Sequence, residues 1–318
     1  VYAFTLRRMD PSAAERAISS YLRGREARPD EVARHAAISR LAPAVGHYLG
    51  GLKGVLLLSE RGRGANWFRG ETSDRPFPLY FPAAFLFKST EAFLAFLALA
   101  LGAGAWRLRG APRAAPQTMA VVLVPLAVAV LYLASSMRSS FNIGARHLLP
   151  VWTLLAFAGS VVVGRALARR RRLLGAAAIV LVGISGLSLA GAHPSPIAYF
   201  NALVGGPEGG RRWFSDSNVD WGQDLLRLHR VLEARGWETS TTIVAYAGVA
   251  TNYYSRACRL LDPARPFGPG RYAVSHVMET IGEPFTKGSE GEAAARQVAA
   301  VVRALHARGR RIGFVGGS

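Results

Sequence analysis

Four long apolar runs lie between residues 79 and 192, and they constrain the fold more than any other feature of the chain. A helix needs about 20 mainly apolar residues to cross the hydrocarbon of a bilayer. We therefore expect four membrane-spanning helices, at 79–106, 119–136, 148–168 and 173–192. A buried helical core is the alternative interpretation, and the charged hinges between the runs disfavour it.

The positive charge of the chain also follows these runs. The 318 residues carry a formal net charge of +19, which in a soluble protein would suggest a nucleic-acid partner. Eleven of the basic residues lie in or between the apolar runs, where Glu91 is the one acidic residue. Membrane lipids are therefore the expected partners, and nucleic acid is disfavoured. The one cysteine, Cys258, excludes an intrachain disulfide.

Two hinges predict the orientation of the helices. One hinge carries Arg107, Arg109 and Arg113, and the other carries Arg165 and the run 169–172. Loops rich in arginine stay in the cytoplasm. Residues 1–78 and 193–318 should then lie on the outer side of the membrane. Because the chain starts at Val1 without a signal peptide, we expect an N-terminal part of the protein to be missing here.

Four cationic or ionisable residues fall on the predicted outer side, where positive charge is disfavoured. Arg138, Arg146 and His147 lie in the short loop between the second and third runs, and Lys88 lies in the outer part of the first run. Such residues at a membrane usually have a task. Arginine geometry matches phosphate, so a lipid phosphate is the predicted ligand. Snorkelling of these side chains to lipid headgroups is the alternative.

The segment 1–78 is predicted to contain an extracytoplasmic loop and interfacial helices. Asp10 and Pro11 have the residue types of an N-cap and a first helical position. Residues 31–59 are typical of one amphipathic helix on the membrane surface. The following Gly- and Pro-rich stretch is predicted to be a loop. Its aromatic residues are expected to form a belt at the interface; they are Trp67, Phe77, Tyr80 and Phe81.

The segment 193–318 is predicted to be a small extracytoplasmic α/β domain. Strands are expected at 241–249 and 270–278, a helix at 290–310 and a final strand at 311–318. The expected fold class is therefore a mostly α polytopic membrane protein with a small C-terminal α/β domain.

The stretch 214–232, "FSDSNVDWGQDLLRLHRVL", concentrates acidic and amide residues. Asp216, Asn218 and Asp220 alternate as in a calcium loop, but the glycine and glutamate that an EF-hand needs are absent from their positions. Another divalent metal ion remains an open alternative. Asp220 and Gln223 have capping-box spacing. Leu225, Leu228 and Leu232 predict an apolar helical stripe. Asp216, Asn218 and Trp221, with Asp224 nearby, are left as candidates for contact with a sugar or acceptor.

Three stretches resemble a known family of enzymes. They are "PLYFPAAFLFKST" (78–90), "SSFNIGARHLLP" (139–150) and "AYFNALVGGPEGGRRWFSDSNVDWGQDLLRL" (198–228). Together and in this order they resemble bacterial lipid-carrier-dependent glycosyltransferases. These belong to the protein-mannosyltransferase-like group, glycosyltransferase family 39, which has the GT-C membrane fold.

The resemblance implies a multi-pass enzyme of the bacterial inner membrane. Such an enzyme moves a sugar, with inversion, from a polyprenyl-phosphate-linked donor to a glycan, lipid or protein acceptor on the outer face. Lys88, Arg138, Arg146 and His147 would then bind the donor phosphate. Glu71, in "FRGE", recurs in the family pattern and would face the cavity.

The chain departs from the family pattern in two ways. Lys88-Ser89-Thr90 stands where the family usually has Lys-Thr-Pro, so the proline bend is absent. The catalytic carboxylates of the family lie in the first outer loop, and no residue here is assigned that role. A polytopic membrane protein without transferase activity, such as a transporter or a scaffold, is the alternative function.

Overall fold

The structure is a computed structural model and divides into two compact units, Val1–Gly64 and Ala65–Ser318. It describes residues 10–24, 26–61, 66–110, 116–140, 142–168, 171–220, 222–245, 258–260, 268–280 and 292–310, with Gly313 and Val315. Each unit is described by itself.

The first unit contains three helices, α1 (Pro11–Arg23), α2 (Pro29–Leu41) and α3 (Pro43–Arg61). The predicted cap of α1 is confirmed, because Asp10 Oδ2 accepts a hydrogen bond from the backbone N–H of Ala13 at 2.8 Å. The prediction of one continuous helix over 31–59 is wrong. Pro43 has no backbone N–H and restricts the residue before it, and Ala42 accordingly leaves the helical region at φ −142°, ψ 82°.

A short hairpin opens the second unit. Strands β1 (Asn66–Phe68) and β2 (Glu71–Ser73) pair antiparallel through a two-residue turn. Both turn residues, Arg69 and Gly70, have positive φ, which gives the turn a twist that suits a hairpin. The sequence predicted only a loop here, because three-residue strands leave almost no alternation to detect.

Five apolar or partly apolar helices follow: α4 (Tyr80–Lys88), α5 (Glu91–Gly110), α6 (Pro116–Ser136), α7 (Leu149–Ala166) and α8 (Arg171–Gly191). A 3₁₀ turn, Ala145–Leu148, precedes α7. In the part of the chain that the structure describes, two helical segments are long and apolar enough to cross a membrane, Met119–Ser136 and Ala145–Ala166. These match the second and third predicted runs, which are confirmed as helices.

The first run differs from the prediction, and the fourth is confirmed as a helix. The first is not one straight helix, because α4 and α5 meet at an angle of 105° across Ser89 and Thr90. Counted as one span, this bent pair raises the number of candidate spans to three. The fourth run forms α8, and the apolar stretch among its described residues is Gly175–Gly191.

The rest of the chain combines short helices with a small sheet. The helices are α9 (Gly206–Arg211), α10 (Leu225–Ala234), α11 (His276–Thr280) and α12 (Glu292–Arg308), and 3₁₀ turns lie at Pro196–Ala198, Ala202–Val204, Asp216–Asn218 and Glu238–Ser240. Strands β3 (Thr241–Ala245), β4 (Arg259–Leu260) and β5 (Arg271–Val274) form a parallel sheet in the order β4-β3-β5.

Several predictions for this C-terminal part can be compared with the structure. Strand β3 and helix α12 confirm the expected elements as far as Ala245 and Arg308. The predicted strand 270–278 ends at Val274, and a helix starts at His276. The leucine stripe of α10 is confirmed, since its three leucines pack against Cys258. Residues 246–249 and most of 311–318 lie outside the described ranges.

An aromatic core lies at the centre of the second unit. It includes Phe68, Tyr80, Phe81, Phe200 and Phe214, all at most 5% exposed. The predicted interfacial belt is therefore wrong for Tyr80 and Phe81, which pack inside the protein. Their hairpin, loop and helix neighbours shield them more completely than a lipid interface would.

Candidate functional site

The side chain of Asn218 connects three separate parts of the second unit. Its Oδ1 accepts a hydrogen bond from the backbone N–H of Ala145 at 2.7 Å, and its Nδ2 donates to the hydroxyl of Tyr80 at 2.7 Å. Its backbone carbonyl accepts from Lys88 Nζ. Asn218 is 1% exposed. We call Tyr80, Lys88, Ala145 and Asn218 the Asn218 junction, and it joins the three stretches singled out in the sequence.

The local backbone explains why Asn218 reaches these partners. Asp216 adopts a left-handed conformation, φ 56°, at the start of the 3₁₀ turn that ends at Asn218. On the opposite side, Gly144 has φ 42°. A Cβ added to Gly144 would lie 2.5 Å from Ser217 Oγ, so a larger residue would require that hydroxyl to move and would be strained at this positive φ. The loop before α7 and the 216–218 turn therefore approach each other through a glycine.

Lys88 donates its hydrogen bonds to protein groups. Its ammonium donates to the carbonyl of Ile197 at 2.7 Å as well as to that of Asn218. It also lies 3.8 Å from the ring centroid of Phe200. Two of the three ammonium N–H groups thus hold backbone carbonyls in place. These contacts favour a role in positioning, and direct contact with a phosphate stays a prediction.

The other three predicted phosphate ligands lie together in the loop between α6 and α7. Arg138 and Arg146 are exposed, and His147 is half-buried with its ring edge on Phe81 at 6.5 Å between centroids. The loop is anchored through Asn142. Asn142 Oδ1 accepts from the N–H of Phe77 at 2.6 Å, and its own N–H donates to Asn66 Oδ1 at 2.6 Å.

Four buried polar atoms around this loop have no hydrogen-bond partner among the described residues. They are Asn66 Nδ2, Asn142 Nδ2, His147 Nε2 and Ser217 Oγ. The two amide NH₂ groups can only donate, so each requires an acceptor oxygen. Unpartnered donors of this kind are rare in native interiors and are often explained by water, an ion or a ligand. Sequence analysis missed Asn66 and Asn142, because a single asparagine carries no pattern.

The break between α4 and α5 has its own set of polar contacts. Asn201 Nδ2 donates to the carbonyls of Leu86 and Ser89, at 2.7 and 2.9 Å. Trp152 Nε1 donates to Ser89 Oγ at 2.7 Å, and Thr90 Oγ1 accepts from the N–H of Phe93 at 3.2 Å. Backbone groups freed by a helix break need such partners inside an apolar region. Side chains therefore hold the bend at Ser89 and Thr90, where no proline is present.

Glu91, the lone acidic residue of the apolar runs, binds the segment that follows α8. Its Oε1 accepts from the N–H of Ala202 at 2.7 Å, and its Oε2 accepts from Tyr199 Oη at 3.2 Å and Ser188 Oγ at 3.3 Å. Burial, and then the neighbouring carboxylate, raise the pKa of Tyr199 to about 12. The carboxylate is thus used to hold residues 199–202 against the start of α5.

The acidic stretch does not form the predicted capping box. Helix α10 starts at Leu225, while Asp220 Oδ1 accepts from the N–H of Gly222 at 2.8 Å and Gln223 Nε2 donates to the carbonyl of Val219 at 3.1 Å. Both side chains stabilise the turn before the helix rather than its first turn. Trp221 lies outside the described residues.

The three other carboxylates that the sequence analysis singled out have different surroundings. Asp216 accepts from the N–H of Ser217 at 2.5 Å, Asp224 accepts from Ser195 Oγ at 2.8 Å, and Glu71 is exposed on β2. Within the described ranges, no group of three or more His, Cys, Asp or Glu side chains is placed to hold a metal ion. The geometry gives Asp216 and Asp224 structural partners. Contact of these residues and of Glu71 with a sugar or acceptor stays a prediction.

A cavity of about 510 Å³ lies away from the Asn218 junction, between α10, β5 and α12. Among its lining residues, Arg235 and Arg271 stack on Trp237 at 4.9 and 4.6 Å from the ring centroid. The lining of this cavity contains none of the four residues of the Asn218 junction.

The chain was compared with known protein families, with curated proteins and with solved structures, and none of the three comparisons found a match.

Proposed function

We propose that this chain belongs to a membrane glycosyltransferase that transfers a sugar from a polyprenyl-phosphate donor to an acceptor on the outer face of the membrane. One observation supports the proposal above the others. The three stretches that resemble such enzymes are far apart in sequence, yet they meet through the hydrogen bonds of Asn218. Three stretches that only formed separate helix ends would not be expected to share the hydrogen bonds of one buried residue.

The loop beside the junction has the chemistry that a donor phosphate requires. Arg138 and Arg146 are exposed there, and Asn66, Asn142 and His147 carry polar atoms that lack partners among the described residues. In the proposed reaction an acceptor hydroxyl attacks the anomeric carbon, and the bond from that carbon to the phosphate oxygen breaks. Polyprenyl phosphate leaves with the electron pair, and donors placed around the loop stabilise its charge.

The proton of the acceptor hydroxyl needs a carboxylate base. The resemblance places that carboxylate in the first outer loop of the complete protein, and we assign the role to no residue here. Lys88 and Asn218 would act as positioning residues, because their hydrogen bonds fix the loop before α7 relative to the break after α4.

The proposed location is the bacterial inner membrane, with several passes and with residues 193–318 on the outer side. The arginine-rich hinges after α5 and before α8 would lie in the cytoplasm. Helix α5 has 20 residues and a length of about 30 Å, and α4 turns away from it by 105°. In the proposal α5 supplies most of this span, and α4 lies toward the outer surface, next to the proposed donor site.

The proposal is tested by a transfer assay with the complete gene product in membranes. A panel of radiolabelled polyprenyl-phosphate sugars would be offered to the wild type and to the Arg138→Ala and Arg146→Ala variants. Loss of a group that stabilises the leaving phosphate should lower transfer roughly a hundredfold at an unchanged protein level. Arg172→Ala is the matched control, because Arg172 is an exposed arginine at the start of α8, in a hinge of the opposite predicted sidedness.

The outcomes separate two parts of the proposal. No transfer from any donor in the panel would contradict the enzyme and favour the non-catalytic membrane protein. Transfer that both arginine variants retain would leave the enzyme standing and remove the phosphate site from this loop.

A further inference from the structure

Helix α3 packs against α1 and α2 through three glycines, with Leu57 also buried near its end. Gly46, Gly50 and Gly54 are spaced four residues apart and so lie on one face of the helix. A Cβ added to Gly46 would overlap Ser39, and one added to Gly50 would overlap the side chain of Ile18. At Gly54 it would overlap the ring of Tyr21. Helices α1 and α2 therefore touch the backbone of α3.

Five large apolar side chains of α3 lie on the opposite face and are exposed, whereas Leu57 is buried. They are Val45 (52%), Tyr48 (66%), Leu52 (46%), Val55 (53%) and Leu56 (50%). At about 100° per residue these five positions cover an arc of roughly 100°, centred on the side away from the glycines. Within Pro43–Leu57, whose side chains the structure describes, no charged residue interrupts the arc. We call these five residues the outer face of α3.

This arrangement is the reverse of a helix in a water-soluble bundle. There the large apolar residues point inward, because their removal from water stabilises the fold. Small residues at the helix contact and large apolar residues outside are the pattern of helices surrounded by lipid. The same pattern occurs on α6, a candidate span, where Val124 and Leu131 are 60% and 68% exposed.

The polar residues of α3 favour a position at the membrane surface. Within the described part of the chain, α3 is not among the helices apolar enough to span a bilayer. Lys53, toward one edge of the glycine face, forms an ion pair with Glu31 of α2 at 2.8 Å between Nζ and Oε1. With its other face packed on α1 and α2, such a helix lies in the plane of the interface, with its apolar face about 5–10 Å below the headgroups.

We propose that the outer face of α3 binds the membrane surface, with lipid acyl chains covering its five large residues. Tyr48 suits this depth, because its ring is apolar and its hydroxyl can reach the headgroup layer. The inference is independent of the proposed transferase activity. It assigns a lipid-contacting role to a helix that lies outside the apolar runs 79–192.

Spin labels on the full-length protein in lipid bilayers test the inference. Single cysteines would be introduced in a Cys258→Ala background at Leu52, at Ala33 and at Val124, and labelled with a nitroxide. Ala33 is exposed on α2 and serves as the matched control, while Val124 on α6 is the lipid reference. Because Leu52 lies outside the packed face, its replacement leaves the helix contacts intact; Leu56→Cys gives a second label on the same face.

The accessibility of each label to oxygen and to a nickel chelate gives the result. We expect the labels at Leu52 and Leu56 to match that at Val124, with an oxygen-to-nickel ratio several-fold above that at Ala33. A ratio at both sites equal to that at Ala33 would place the outer face in water and overturn the inference. Protection from both reagents would also overturn it, because protein would then cover the face instead of lipid.

Discussion

Two regions of this molecule place similar apolar residues in opposite surroundings. Around the Asn218 junction, Tyr80 and Phe214 are 1% and 0% exposed, whereas Tyr48 on α3 is 66% exposed. The sequences of the two regions are both rich in apolar residues, so hydrophobicity alone does not distinguish them.

The backbone accounts for the difference. The junction joins helix α4 to two 3₁₀ turns, and the hairpin and the loop before α7 lie beside it; the N–H and C=O groups of such irregular segments need partners away from lipid. Aromatic side chains cover these segments, and Asn66, Asn142 and Asn218 bond to them. Helix α3 satisfies most of its backbone internally and presents large side chains outward. Tyr80 also lies on a regular helix, so the irregular backbone packed around it, and not its own conformation, accounts for its burial.

The largest expected effect is at Asn218. Asn218→Ala would leave the buried N–H of Ala145 and the hydroxyl of Tyr80 without this partner, at a cost of about 2–4 kcal/mol in the free energy of unfolding. Denaturant unfolding in detergent micelles, followed by circular dichroism, measures it. Ser217→Ala is the control, because the Ser217 hydroxyl has no hydrogen-bond partner among the described residues. An equal loss in the two variants would show that the junction does not depend on Asn218.

A variant of Lys88 distinguishes a structural role of this residue from a role in binding the donor. Lys88→Met keeps the length of the side chain and leaves the carbonyls of Ile197 and Asn218 without their donor. We expect a loss of about 2 kcal/mol in the free energy of unfolding. In the transfer assay, activity per folded molecule should fall without a rise in the KM for the donor. A higher KM at unchanged stability would instead place Lys88 on the donor phosphate.

A pair of adjacent glycines tests the packing of α3. Gly50→Ala would place a Cβ against Ile18 and should destabilise the first unit by about 1–2 kcal/mol through overpacking. Gly51→Ala meets no atom within 4 Å and should stabilise the helix by up to about 1 kcal/mol. The two shifts in the unfolding midpoint have opposite signs. Equal signs would mean that α3 does not contact α1 through its glycine face.

The smallest effect is a pH dependence at Tyr199. Its pKa of about 12 lies above the usual 10, so between these values the unfolded chain loses the phenolic proton while the folded protein keeps it. Stability should therefore fall as the pH rises from about 10 to about 12. Tyr199→Phe has no such proton, and its unfolding midpoint should fall less over that range. Parallel curves for the two proteins would show that Tyr199 is not held against Glu91.

Long periodic segments were predictable from the sequence. The runs at 119–136 and 148–168 are helices, the Asp10 cap forms, and Leu225, Leu228 and Leu232 are buried together. These features depend on residues near one another in the chain, where spacing and propensity are sufficient.

The predictions that were wrong, and the features that were not predicted, involve residues that are far apart in the sequence. The 105° bend at Ser89 and Thr90 is held by Asn201 and Trp152, which are 63 or more residues away. Tyr80 was expected at the lipid interface and is buried, because Phe68 and Phe214 pack on it. Such contacts leave no periodic signal, so neither the bend nor the hydrogen bonds of Asn66 and Asn142 could be predicted from spacing.

A disulfide between the loop before α7 and the 216–218 turn tests the central claim, which is that these stretches meet. A Cβ at position 144 would lie 3.5 Å from Ser217 Cβ, at the short end of disulfide geometry. The Gly144→Cys/Ser217→Cys protein, in a Cys258→Ala background, would be oxidised mildly and analysed by mass spectrometry of its peptides. Gly144→Ala is the control for the backbone strain at the positive φ. The account predicts that most molecules form the cross-link. It would be contradicted if both thiols reacted with maleimide while the protein unfolded at the same temperature as the control.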